Sequence, residues 1–290
     1  MDIDTSRTIF SLPVNQLILP LSTYIQILAY SITGFVIFHL VDRYSNIQGV
    51  TSRKRYDSIN RYISSFYAYI VLILGSYDYF FRSTQCSKYN DSLYTNCITF
   101  SIGYFIYDFI VSYKYGILCG VRTLHHTIVI LSEYECLVLN SGGFLITRWA
   151  LYLEIANPQL QYRFILQNLG KTHTKHYLFW EMFYFASYIL SRILYINFAI
   201  YFHSNCKNDL TFMMIAEALL LLQSLYLIYY MYKTTRSRLR EYKERKSKGI
   251  SYYWFEINPR VHELHYVQKK KEHADLKKLN QKEKNEEKQQ

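Results

Sequence analysis

The chain has 290 residues, of which 50% are hydrophobic, and a formal net charge of +11. Residues 233–290 contain 17 Lys and Arg against 9 Asp and Glu, whereas residues 1–232 contain 16 against 13. A mean hydropathy close to zero therefore averages an apolar, Tyr-rich region with a charged tail. The contrast between the apolar region and the charged tail excludes a protein that is polar along its whole length. It indicates a membrane region followed by a basic extension, with one or two domains in all.

Seven apolar segments are predicted to cross a membrane. A spanning helix needs about 20 mostly apolar residues, and lipid tolerates only helices and closed barrels. The segments do not alternate as barrel strands do, so the predicted fold is all-α. It is a polytopic bundle of about seven transmembrane helices with a charged helical or extended C-terminal tail. The approximate bounds of the segments are 16–41, 62–81, 94–116, 121–140, 144–156, 178–203 and 210–232.

The loop charges predict the orientation of this bundle. With the N-terminus on the trans side of the membrane, the loops on the opposite side carry ten Lys and Arg residues. The trans side carries four. Basic loops stay on the cytosolic or matrix side, so the basic tail belongs there too and the number of spans is odd. The acidic N-terminus lacks the basic region of a signal peptide, so the first segment is expected to be retained.

The tail begins with a basic cluster and continues into an aromatic one. Basic residues next to a membrane attract its anionic surface, and exposed aromatic residues suit membrane interfaces or partner proteins. No recognition motif for nucleic acid accompanies these charges. The end, 268–290, is expected to be a solvated helix or disordered. The residues predicted to contact a membrane surface or a partner are Arg236, Arg238, Arg240, Tyr252, Tyr253, Trp254 and Phe255.

The sequence offers little support for a metal site or a disulfide framework. The five cysteines have no metal-ligand spacing and are expected to be free thiols, although Cys86, Cys97 and Cys206 lie towards one side and leave one bridge open. His173 and His176 have the spacing of a metal pair but no third ligand, so no metal site is predicted. The sequence also lacks a Gly-rich phosphate loop and the G-x-S-x-G and H-E-x-x-H motifs.

An adjacent histidine pair, His125 and His126, opens the fourth apolar segment. Adjacent helical residues point about 100° apart, so the two cannot chelate one metal without other ligands. One imidazole could act as a general base or acyl-accepting nucleophile. Alternatively, both could form hydrogen bonds that tie helices together. The residue types alone leave both interpretations open.

Further ionisable residues lie in or beside the predicted spans. Such groups usually face the interior of a bundle and pair there. We expect Glu154 and Arg163 to form a structural ion pair around the break at Pro158, the alternative being that Glu154 reaches the interface. The others imply a polar-lined interior, and they are Asp108, Arg148, Glu181, Arg192 and Glu217.

Four elements in order resemble the TLC-domain family, which includes ceramide synthases and translocating-chain-associated membrane proteins. They are 61–68, the Gly-Tyr-Phe-x-x-Asp element within 101–108, Leu124-His125-His126, and the series Glu154, Pro158 and Arg163. The resemblance covers roughly 55–235, and the chain is most similar to the smaller members that are not ceramide synthases.

This resemblance implies helices around a cavity that accepts a lipid acyl chain. In ceramide synthases the double His takes part in acyl transfer from acyl-CoA. The chain departs from the family pattern at Tyr67, where many members have His, at Ala156 and Asn157, and in lacking the acidic element of ceramide synthases. The lipid-binding residues implied are Tyr67, Tyr104, Asp108, His125, His126, Glu154 and Arg163.

These observations predict three regions: 1–54 with the first span, a six-helix TLC-like domain at 55–235, and a charged tail at 236–290. The preferred function is a non-catalytic, lipid-binding accessory or structural subunit of a larger membrane complex, which the tail contacts. It would lie in the mitochondrial inner membrane or the endoplasmic reticulum, with bound phospholipids and no cofactor.

Two other functions stay open. One is an acyl-CoA-dependent acyltransferase in which His125 or His126 is the catalytic group and Asp108 or Glu154 orients it. The other is a lipid or cargo carrier of the endoplasmic reticulum.

Overall fold

The structure is a computed structural model, and it describes residues 12–13, 16–82, 89–205, 211–265 and 267–268. Within these ranges the chain is all-helical and forms no strand, which confirms the predicted class. A 3-10 helix follows at Pro259–Glu263. The α-helices are α1 Leu21–Tyr44, α2 Ser52–Phe81, α3 Ser92–Lys114, α4 Gly120–Val138, α5 Gly143–Glu154, α6 Asn157–Asn168, α7 Lys175–Asn205 and α8 Thr211–Lys248.

In the part of the chain that the structure describes, three helices are long and apolar enough to cross a membrane by length and composition: α1, α7 and α8. They correspond to the predicted spans 16–41, 178–203 and 210–232. The segment predicted at 144–156 is α5, whose 12 residues rise only about 18 Å, short of a hydrocarbon core about 30 Å thick.

The polar stretch after Pro158, which lies between two of the predicted spans, forms α6. Proline lies in the first turn of this helix, where its missing N–H would have no intrahelical partner in any case. The same residue that ends one helix therefore starts the next.

The chain divides into two compact units. The first comprises Met1–Gly170 and Trp180–Tyr226, and the second comprises Lys171–Phe179 and Leu227–Gln290. The main core of the first unit is built from α1, α3, α4, α5, α7 and α8. Its largest buried members include Ile98, Phe144, Trp149, Tyr195, Phe198 and Phe202.

Within the first unit, α1 crosses α3 closely at Gly103. A Cβ at this position would lie 2.6 Å from the Cβ of Tyr30 and 2.9 Å from the carbonyl oxygen of Ile27. The Ser31 hydroxyl donates to the Gly103 carbonyl at 2.9 Å. Only glycine allows this approach, which fixes the face that α3 turns towards its other neighbours.

The start of α3 is held by a capped turn. The Asp91 side chain accepts from the backbone N–H groups of Leu93 and Tyr94, as an N-cap residue does. Arg82, at the end of α2, also donates to Asp91. This hydrogen bond lowers the pKa of the Asp91 carboxyl, so the cap stays ionised at neutral pH.

In the second unit, the aromatic residues of the tail join the first turn of α7. The carbonyl oxygens of Tyr253 and Trp254 accept from the N–H groups of Lys175 and His176, at 2.8 and 3.2 Å. These N–H groups lie at the helix start, where no intrahelical partner exists. The side chains of Tyr253, Trp254 and Phe255 remain exposed.

The second unit also contains a buried charge cluster around Glu241. Its carboxylate contacts His173 at 3.0 Å, Arg245 at 2.9 Å and Arg238 at 2.9 Å. The Arg245 guanidinium lies 3.8 Å from the centre of the Tyr252 ring. The basic start of the tail is thus part of a folded element and continues α8.

Candidate functional site: a buried polar network on α2, α3 and α4

The histidine pair and the aspartate singled out by the sequence meet inside the first unit. His126 on α4 places Nε2 3.1 Å from Oδ2 of Asp108 on α3, and both residues are buried. The Phe105 ring packs edge-on against His126, with 5.1 Å between ring centres. A carboxylate in this position orients the imidazole and fixes which nitrogen faces it.

The other oxygen of Asp108 is also engaged. Asn60 on α2 donates to Asp108 Oδ1, and the Tyr107 hydroxyl donates to the Asn60 side-chain oxygen at 2.9 Å. Both residues are buried. Asp108, Asn60 and Tyr107 therefore form one hydrogen-bonded chain between α2 and α3, and His126 on α4 contacts its carboxylate.

His125 takes no part in this chain. Its Nδ1 is buried and finds no hydrogen-bond partner among the residues that the structure describes. The ring centre lies 5.8 Å from that of His126 and 6.0 Å from that of Phe105. The two histidines thus differ in that only His126 contacts a carboxylate, whereas Nδ1 of each is buried without a hydrogen-bond partner among the described residues.

A second hydrogen-bonded chain joins the same three helices, about two turns away from Asp108 along α3. The Ser101 hydroxyl donates to Glu133 at 2.5 Å and meets the Tyr67 hydroxyl at 2.7 Å. Tyr67 stacks on Tyr104 with ring centres 3.8 Å apart, and Tyr104 donates to Ser64 at 2.9 Å. The predicted lipid-binding tyrosines are therefore packed on each other and belong to this chain.

A small cavity adjoins the second chain. Its volume is about 20 Å³, which is room for one water molecule. The second carboxylate oxygen of Glu133 is buried and has no hydrogen-bond partner in the described part of the chain. The cavity lining includes Tyr67, Cys97, Phe100, Ser101, Glu133 and Thr147, but neither histidine of the pair.

Sequence reasoning missed Asn60, Ser101 and Glu133. A signal for two of them was present, because Ser101 precedes Asp108 by seven residues and Glu133 follows His126 by seven. Seven residues are about two helical turns, which returns a side chain to the same face. When two antiparallel helices each carry such a pair of residues, both residues of one helix can meet both residues of the other.

The predicted ion pair between Glu154 and Arg163 is wrong. Arg163 instead donates to Glu181 on α7, through Nε at 3.1 Å and Nη2 at 2.9 Å. Glu154 accepts from Asn157 at 2.6 Å. The reason is local, because α6 begins at Asn157 and carries Arg163 almost two turns away from Glu154.

The fourth motif element nevertheless connects to the first. Asn157 accepts from Gln161 at 2.8 Å, and Gln161 accepts from Arg61 on α2 at 2.9 Å. Arg61 also pairs with Asp57 at 2.8 Å. A continuous series of polar contacts thus runs from Glu154 to the start of α2.

The remaining predicted site residues lie in the second unit or outside the described residues. Arg236 and Arg240 are exposed on α8, while Arg238 is engaged by Glu241. Cys97 is a free thiol, and its suggested partners Cys86 and Cys206, like most of 268–290, fall in parts of the chain that the structure does not describe. Among the described residues, no group of three His, Cys, Asp or Glu could hold a metal ion.

The network can orient the His126 imidazole in a buried interior. No protein-family model, curated protein or solved structure matches the chain.

Proposed function

We propose that the chain is a multi-pass membrane protein whose TLC-like helical bundle binds lipid, and that it is a non-catalytic accessory subunit of a larger membrane complex. The membrane is the mitochondrial inner membrane or the endoplasmic reticulum, with the C-terminus on the matrix or cytosolic side. Phospholipids bound to the bundle belong to this proposal.

One observation carries the non-catalytic part of this proposal. His126 Nε2 faces Asp108, and Asp108 is in turn held by Asn60 and Tyr107. A buried imidazole that contacts a carboxylate on the neighbouring helix links α3 to α4. The bundle would use its histidine as a structural link, as its departures from the ceramide synthase pattern suggest.

The apolar surface supports the membrane and lipid parts. Large hydrophobic side chains on α1, α7 and α8 are exposed, among them Ile25, Leu28, Ile193, Ile200, Leu222 and Leu225. Contiguous apolar surface of this kind needs lipid or another protein to cover it. In the seven-span topology that we propose, the bilayer would thin around the short α5, as bilayers do around short spans.

An acyltransferase of the ceramide-synthase kind is the second candidate. The observation in its favour is the 3.1 Å contact between Asp108 and His126, because a carboxylate that orients an imidazole is the usual support of a general base.

Replacement of both histidines by alanine tests the two candidates. We expect the purified wild-type protein to transfer no acyl group from acyl-CoA to a sphingoid base, and the His125→Ala plus His126→Ala variant to behave identically. Asp42→Asn, at a surface pair with Arg55, serves as the matched control. Acyl transfer by the wild type and the control that disappears in the double variant would establish the acyltransferase and refute the non-catalytic subunit.

A further inference from the structure

Arg192, in the middle of α7, differs from the other interior arginines of the first unit. Each of those contacts a carboxylate: Arg61 with Asp57 at 2.8 Å, Arg148 with Asp78 at 2.9 Å and Arg163 with Glu181 at 2.9 Å. Arg192 has no such contact within the described residues. A guanidinium stays charged at any physiological pH, and no carboxylate of the described residues contacts this one.

The nitrogen atoms of Arg192 are also unpaired. Nε and Nη1 are buried, and neither finds a hydrogen-bond acceptor in the described ranges. The guanidinium carbon lies 4.4 Å from the centre of the Tyr188 ring. An aromatic ring stabilises the flat face of a guanidinium but accepts nothing from its N–H edge. The donors on that edge remain available.

Two neighbouring groups are in the same condition. The Tyr188 hydroxyl and His125 Nδ1 are buried and have no partner among the residues described. Arg192 is close enough for its charge to act on His125 and on Glu154. Glu154, however, forms its hydrogen bond with Asn157. Unpaired polar groups inside a bundle are costly, and a strong acceptor at the guanidinium edge would satisfy Nε and Nη1 of Arg192.

The surface of α7 beside Arg192 is apolar. Ile189, Ile193 and Ile196 are each more than 40% exposed, and their spacing of four and three residues places them on one stripe of the helix. Arg192 follows Ile189 by three residues and precedes Ile196 by four, so it borders this stripe. A molecule that fits both features has an acidic group and a hydrocarbon chain.

We propose that Arg192, with the Tyr188 ring against its guanidinium, binds the anionic group of a lipid. Both a carboxylate and a phosphate match the donors of a guanidinium. The source is therefore either a free fatty acid or an anionic phospholipid. This inference rests on the proposed lipid-binding function and assigns the chemical class of the ligand and the residues that recognise it.

Native mass spectrometry of the full chain in detergent tests the site. Oleate and phosphatidylglycerol serve as anionic probes, and oleyl alcohol and phosphatidylcholine as neutral ones. We expect the wild type to bind one anionic probe in preference to its neutral counterpart. Arg192→Gln should weaken that binding about tenfold or more, because hydrogen bonds to charged groups are lost. Arg53→Gln, at an exposed arginine near the start of α2, should bind as the wild type does. The preferred probe identifies the source.

Thermal unfolding keeps the test valid if Arg192→Gln folds poorly. The anionic probe should raise the melting temperature of the wild type but not that of Arg192→Met, which without ligand should melt no lower than the wild type. Equal binding by wild type and Arg192→Gln would overturn the inference. So would equal destabilisation by Arg192→Met and Glu154→Gln, because it would identify a structural pair between these residues.

A wild type that binds phosphatidylcholine without preference for either anionic probe also overturns this site but leaves lipid binding by the bundle intact. Conversely, loss of the accessory-subunit proposal would not remove a difference between wild type and Arg192→Gln.

Discussion

Asp108→Ala is expected to lower the free energy of unfolding by about 3 kcal/mol or more. The substitution removes the shared partner of His126 and Asn60, both of which are buried. Removing one member of a buried pair leaves the other without compensation, which is the costly way to break it. Denaturation of the purified protein in mixed micelles, followed by helix content, measures this effect.

Asp42→Asn is the matched control for this experiment. Asp42 pairs with Arg55, but each side chain keeps about a third of its exposure to solvent (29% and 30%), and such pairs contribute at most about 1 kcal/mol. A loss in Asp108→Ala no larger than in Asp42→Asn would show that the network around His126 does not hold α2, α3 and α4 together.

A double-mutant cycle between Arg163 and Glu181 is expected to give a coupling energy of about 1–3 kcal/mol. Arg163 donates to Glu181 through two nitrogen atoms, and both side chains are buried. Arg163→Met alone should therefore be strongly destabilising, whereas Arg163→Met combined with Glu181→Gln should recover part of the loss. Melting temperatures and denaturant midpoints of the four proteins provide the cycle.

The corresponding cycle between Arg163 and Glu154 is the control. Since Glu154 contacts Asn157 and not Arg163, the two substitutions should be additive within about 0.5 kcal/mol. A larger coupling with Glu154 than with Glu181 would restore the ion pair expected from the sequence and contradict the observed partner.

The sequence suggested Asp108 as a partner of the histidines and Glu154 as the partner of Arg163, and only the first contact is observed. This difference has a physical explanation. Asp108 and His126 lie on consecutive helices joined by a short connection, so their faces are constrained to meet. Arg163 has two acids within reach in the sequence, and the choice between them depends on whether the residues after Pro158 form a helix. Proline ends helices and also starts them, so composition alone could not decide.

Span prediction shows a related limit. Hydropathy finds α1, α7 and α8 because their apolar residues continue all round the helix. By contrast, α2 and α3 bury polar residues such as Asn60, Ser101 and Asp108, each of which has a hydrogen-bond partner among buried side chains. A hydropathy sum counts each polar residue as unfavourable in a membrane, although its hydrogen bonds are satisfied in the folded protein. The partners of Asn60 and Ser101 become evident only when the helices are assembled.

Isolation of the chain from its native membrane under mild detergent tests the accessory-subunit proposal most directly. The expected result is a particle much larger than the 34.8 kDa of the chain, containing other protein chains and retained lipid, without acyl transfer from acyl-CoA. A monodisperse single chain that carries acyltransferase activity sensitive to substitution of His125 and His126 would contradict the proposal.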